Sequence, residues 1–207
     1  MKPKKKHYKI ASTLYEFQRF NKFAELENIN IIESWDIDHM QGLFAKVDDD
    51  TFYIQHMGSN EFVDWIFNFM FRKKVVAYGN ESSPVRLHKG FYTSYLLIRD
   101  KIHALVKEHK PKKLVIFGQS LGAALQTLNV IDIQYNFPDI KLVSFNTGSP
   151  RIGNSDFAAS FNKRVTDHVT IKNGMDVVTS VPPKWFGFVH VREIGRASCR
   201  ERVCHRV

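Results

Sequence analysis

Apolar and polar positions along this chain fall into two rhythms, one helical and one of short uninterrupted runs. In residues 12–27, Leu14, Phe17, Phe20, Phe23, Ala24 and Leu26 recur near helical spacing, and Ser12 or Thr13 can cap that helix. Residues 43–47 and 52–57 read as two strands across the turn Asp48-Asp49-Asp50, and residues 74–78 as another short strand. Between 91 and 106, Tyr95, Ile98, Ile102, Leu105 and Val106 mark one apolar helix face, and Pro111 ends that element. Leu114-Val115-Ile116-Phe117 has no polar alternation, as expected of a strand buried on both faces of a parallel sheet. It feeds a glycine-flanked serine and then a helical stretch to about Tyr135. Residues 142–145 and 168–171 repeat the strand pattern, with a helix predicted near 157–162 between them. Strands alternating with helices predict an α/β fold, a mostly parallel sheet flanked by helices. No internal repeat or low-complexity linker divides the chain, so one domain is expected.

Composition narrows the class. The 207 residues suffice for a sizeable core, and 43% hydrophobic with 25% charged residues is ordinary globular content. No apolar run is long enough to span a bilayer. The start, Met1-Lys2-Pro3-Lys4-Lys5-Lys6-His7, is basic but lacks the apolar stretch of a secretory signal, so a cytoplasmic location is the default expectation. Net charge is +9, with five lysines in the first nine residues and Arg196, Arg200, Arg202 and Arg206 near the end. Solvated terminal charge is the plain reading, and an anionic lipid surface the sharper one. Lys4-Lys5-Lys6 has no interleaved aromatics, so no nucleic-acid partner is expected. Cys199 and Cys204 both lie in the end segment, so disulfides do not hold the body. His, Asp and Glu are too scattered for a metal site, and no cofactor is expected. Oligomeric state is left open.

The chemistry concentrates at Gly118-Gln119-Ser120-Leu121-Gly122, a G-x-S-x-G pattern. As a bare string it is weak. Its context, strand before and helix after, is what a nucleophile elbow requires. The serine hydroxyl then projects above the sheet edge, and the glycines relieve backbone crowding. The amides that open the following helix, Leu121 first, point where an oxyanion would develop.

Around this motif the chain resembles the fungal-type (class 3) lipases, which have the α/β-hydrolase fold. The blocks are Gly58-Ser59-Asn60-Glu61-Phe62-Val63-Asp64-Trp65, His88-Lys89-Gly90-Phe91 with Tyr95, the segment 116–125, Asn146-Thr147-Gly148-Ser149-Pro150-Arg151-Ile152-Gly153-Asn154, Asn173-Gly174-Met175-Asp176-Val177-Val178, and Val181-Pro182-Pro183. Gln119 stands where the family usually has His, Met57 where it often has Arg, and Thr179 where Pro is common. The resemblance implies a serine ester hydrolase, a lipase or esterase acting on glycerolipids at a membrane or lipid-droplet surface. Ser120 is the implied nucleophile, Asp176 the orienting acid, and Leu121 and Ser59 the oxyanion donors. Without the resemblance, Asp176 reads equally well as a turn residue. The aromatic run containing Phe62, Trp65 and Ile66 reads either as a buried helix or, with the resemblance, as a lid over the serine. A catalytically inactive module on the same fold, binding lipid surface or protein, is the alternative.

The base must be a histidine after Asp176, and only His190 and His205 follow it. His190 is 14 residues on, which leaves little room for the extra strand and crossover between acid and base. Phe186-Gly187-Phe188-Val189-His190 is similar instead to a family block whose histidine is not the triad member. The segment from Glu193 to Val203 resembles a translated frame of a sequencing adapter. The expectation is therefore a single lipase-like domain over residues 1–192, truncated at the C-terminus, with a non-native tail over 193–207. Three readings of the base follow: His190, a histidine lost with the missing end, or a natural relative without one.

Overall fold

The computed structural model describes residues 29–38, 40–58, 73–76, 84–173, 176–191 and 195–197, with Lys5 and Lys9. The helix expected over 12–27, and Ser59, Phe62, Trp65, Ile66, Cys199, Cys204 and His205, lie outside them.

Three antiparallel strands begin the sheet: β1 (Asn30–Ile37), β2 (Met40–Lys46) and β3 (Thr51–Met57). The aspartate turn joins β2 to β3 because Asp48 Oδ1 accepts from the amides of Asp50 (3.1 Å) and Thr51 (2.7 Å). Trp35 of β1 packs against Gly42 of β2, where a Cβ would come within 2.3 Å of the indole. The short strands β4 (Lys73–Val75) and β5 (Arg86–His88) pair apart from the main sheet.

The rest is the expected alternation: α1 (Lys89–His109), β6 (Lys113–Gln119), α2 (Leu121–Asn136), β7 (Lys141–Thr147), α3 (Ser155–Arg164) and β8 (His168–Asn173). The sheet order is β1-β2-β3-β6-β7-β8-β9, parallel from β3 onward. β9 (Gly195–Ala197) adds a short parallel strand beside β8, within the segment expected to be a tail. β6 is buried on both faces: Leu114 and Ile116 join the larger core with α1 and α2, while Val115 and Phe117 join a second cluster with Leu43, Tyr53, Val143 and Phe145. The apolar face of α1 is buried as its spacing requires, each large side chain contributing roughly 2 kcal/mol. This is the α/β-hydrolase architecture, and it delivers the C-terminal ends of β3, β6, β7 and β8 to one edge.

Candidate active site

Ser120 stands between β6 and α2 with φ 56° and ψ −122°, a conformation ordinary side chains avoid. Packing imposes the sharp turn. A Cβ on Gly118 would come within 2.3 Å of the Gly122 carbonyl oxygen, and one on Gly122 within 2.2 Å of the His56 carbonyl oxygen. Only glycines let α2 sit this close to β3 and β6. The Ser120 amide donates to the Thr147 carbonyl (3.0 Å), and the side chain is half-buried with no capping hydrogen bond. Gly58, at the end of β3, passes the start of α2 so closely that a Cβ there would meet the Leu121 nitrogen at 3.0 Å. Gly58 therefore lies beside the Leu121 amide. Ser59, the second oxyanion candidate, is the next residue and lies outside the described ones.

Asp176 opens a four-residue 3-10 turn, Val177–Ser180, and its Oδ1 accepts from the Val178 amide (2.9 Å). Its Oδ2 faces Gly148. A Cβ on Gly148 would stand 2.7 Å from that oxygen and 3.9 Å from the Ser120 nitrogen. The fold thus brings the Ser120 backbone and the Asp176 carboxylate to one glycine, whose φ of 63° favours that residue type. Among the described residues Oδ2 accepts no hydrogen bond, so it remains open to an imidazole N–H.

His190 is not brought to either group. Its Nε2 lies 2.9 Å from the Thr179 carbonyl oxygen and must donate to it. Burial lowers its pKa, and the positive charges of Arg151, Lys172 and Lys184 lower it further, against the bond to Thr179. A general base needs surroundings that favour imidazolium, and these oppose it. Two residues missed in the sequence reading emerge here, Arg151 and Thr179. The Asn-Thr-Gly-Ser-Pro-Arg block and the departure at Thr179 were the available signals. Two surface depressions among the described residues, one at the β2–β3 turn and one at the starts of β7 and β8, lie at the opposite end of the sheet, and no described cluster of three His, Cys, Asp or Glu could hold a metal.

Behind the elbow, His56 of β3 is wholly buried, with Nε2 2.9 Å from Asn129 Nδ2 and Nδ1 without a partner. Burial pushes its pKa down to about 3. The fold accommodates only the neutral ring, whereas the unfolded chain takes up a proton near pH 6.5. The stability tied to neutral His56 is complete above pH 6.5 and is lost as pH falls toward 3, at up to about 1.4 kcal/mol per unit. Between pH 7 and 5 the wild type is expected to lose about 2 kcal/mol more in urea denaturation than His56→Leu. Equal losses in the two proteins would refute this.

A half-buried serine on a strained elbow, over helix amides and beside a carboxylate, is the arrangement a serine-hydrolase type of site would use on this fold. The comparisons make it more particular. The class 3 lipase family model matches residues 53–186, more than half of the chain. A Rhizomucor miehei lipase is 29% identical over 177 residues, 81% of this chain and 48% of that protein. Lipase II from Rhizopus niveus superposes with a TM-score of 0.76 at 25% identity, over 89% of this chain and 76% of that one. A triacylglycerol lipase described as having a serine protease triad as its catalytic centre gives 0.73 at 25% identity, over 89% and 76%. The chain belongs to the class 3 lipase family. It spans about half the length of the Rhizomucor relative.

Proposed function

We propose that this protein is a serine ester hydrolase that cleaves acyl esters of glycerolipids through an acyl-enzyme on Ser120. The elbow carries the reading: a serine held at φ 56° on a helix N-terminus, with the Asp176 carboxylate across Gly148. In this mechanism a histidine takes the Ser120 proton as Oγ bonds to the ester carbonyl carbon. The Leu121 and Ser59 amides hold the oxyanion. The proton then passes to the departing alcohol as the ester C–O bond breaks, and water reverses the sequence to free the acid. Asp176 orients the histidine through Oδ2. That histidine is proposed to be encoded downstream of Arg192, where the segment 193–207 is read as a non-native tail. Phe62, Trp65 and Ile66 are proposed to cover the site and to open against a membrane or lipid-droplet surface. Triacylglycerol, named for one structural neighbour, supports glycerolipid esters as the proposed substrate class.

A second reading, a non-catalytic lipid-surface module, is favoured by one observation: among the described residues no histidine bonds to Asp176. Trapping separates the two. A p-nitrophenyl alkylphosphonate offered to a form extended past Arg192 is expected to release one equivalent of p-nitrophenolate and to leave its adduct on the peptide containing Ser120. No adduct, or one on another residue, would support the non-catalytic module.

A further inference from the structure

The 3-10 turn that carries Asp176 is too short to hold its own shape, since a single turn offers few internal hydrogen bonds for the entropy it loses. What holds it comes from two residues elsewhere. The His190 Nε2–H donates to the Thr179 carbonyl (2.9 Å). The Arg151 guanidinium Nη1 donates to the carbonyls of Ser180 and Pro182, the latter at 2.8 Å. The Arg151 amide donates to the carbonyl between them, that of Val181 (2.8 Å). Four successive carbonyls, 179 to 182, are thus each taken by Arg151 or His190. The two donors form one unit, because Gly153 and Val189 pair in an antiparallel bridge, with the Val189 amide donating to the Gly153 carbonyl at 2.8 Å. Inside the turn, Thr179 Oγ1 donates to the Asp176 carbonyl (2.8 Å), so tension on Thr179 reaches the residue that carries the carboxylate.

We propose that His190 and Arg151 are positioning residues which together clamp the acid-bearing turn, with His190 acting as a donor to Thr179 and not as the proton acceptor of Ser120. The inference rests on the reading of Asp176 as the orienting acid. The charges around His190 agree with it. Arg151, Lys172 and Lys184 favour the neutral ring, and the carbonyl of Thr179 fixes its one proton on Nε2. A neutral, singly protonated ring is what a donor needs. A clamp of this kind sets the direction of Oδ2 across Gly148, and triad geometry tolerates little error there.

Amide hydrogen exchange of the 207-residue chain tests the clamp without any activity. In His190→Leu and in Arg151→Met, the amides of Val178 and Val181 are expected to exchange about tenfold faster or more, the equivalent of a lost hydrogen bond, while β6 and β7 keep their protection. His190→Gln offers an N–H that can reach Thr179 and is expected to restore slow exchange. Unchanged exchange in the first two variants, or His190→Gln as fast as His190→Leu, would overturn the proposal. If His190→Leu loses protection throughout the sheet, Arg151→Met and His190→Gln decide by the same criteria. In an extended, active form, His190→Gln is expected to keep most of its kcat. A loss of about a thousandfold with the turn still protected would make His190 the base and end the positioning assignment. If the extended wild type hydrolyses nothing, the hydrolase reading fails and the exchange results still judge the clamp.

Discussion

Ester hydrolysis by a Ser120→Ala variant of the extended protein is expected to fall by about 10⁴- to 10⁶-fold in kcat, with KM changed little. The asymmetry follows from the role assigned to Oγ. The hydroxyl forms the acyl bond and does not hold the substrate beforehand, so its removal acts on the chemical step. Folding should be indifferent, because the side chain caps nothing and no buried partner is orphaned. Ser120→Gly sharpens the test. At φ 56° and ψ −122° any residue with a Cβ is strained, and glycine is not. The glycine variant is expected to be as inactive as the alanine one yet more stable than it by roughly 1–2 kcal/mol in urea denaturation. A serine that is both the seat of activity and a local cost to stability is what a nucleophile elbow predicts. Hydrolysis surviving in either variant would place the chemistry elsewhere. Equal stability of the two would remove the strain argument.

The turn at Ser120 could be read from sequence because every demand on it is local: an apolar run before, glycines two positions away on each side, and a helix after. β6, α1 and α2 were legible for the same reason, each having an apolar pattern of its own. β1 was not. Its alternation is broken by a bulge between Ile31 and Glu33, and Trp35 is its one buried side chain. The surroundings of Asp176 were only half legible. The family blocks pointed to the carboxylate, but what holds it is a set of backbone carbonyls contacted from Arg151, some 29 residues earlier, and from His190. Carbonyl acceptors leave no mark in a residue pattern. A polar seam between α1 and α2 did leave one. Tyr95, Arg99 and His103 recur every fourth residue on α1, and Asn129, Asp132 and Asn136 lie three and four apart on α2. Counting Tyr95 among the apolar positions of α1 hid the stripe.

That seam carries the second large effect. Asp132 is 1% exposed, yet its Oδ2 accepts from the Tyr95 hydroxyl (2.7 Å) and from Arg99 Nε (3.1 Å) and lies 2.6 Å from His103 Nε2. Its Oδ1 accepts from Asn136 (3.0 Å). A carboxylate so enclosed is tolerable only because its acceptor sites are filled, and its partners are arranged around its charge. Asp132→Leu removes the acceptor and leaves the donors. The fully buried Tyr95 hydroxyl loses its 2.7 Å bond to Oδ2, its contact to Asn129 being longer at 3.5 Å, and the Arg99 guanidinium loses its bond to the buried carboxylate. The expected cost is about 3–5 kcal/mol, seen as a fall in Tm of roughly 10 °C. Adding Tyr95→Phe should recover part of it, because the hydroxyl that donated to Oδ2 goes with the carboxylate; the double variant is then more stable than Asp132→Leu alone. A cost below about 1 kcal/mol for Asp132→Leu would mean that the seam contributes no more than an exposed ion pair. An unchanged or lower stability on adding Tyr95→Phe would mean that the hydroxyl is not among the groups left wanting. Because Ser120 is the N-cap of α2, loosening the far end of the helix tests whether this buried charge helps to fix the helix that follows the proposed nucleophile. If it does, Asp132→Leu lowers kcat of the extended protein at temperatures well below its own unfolding transition.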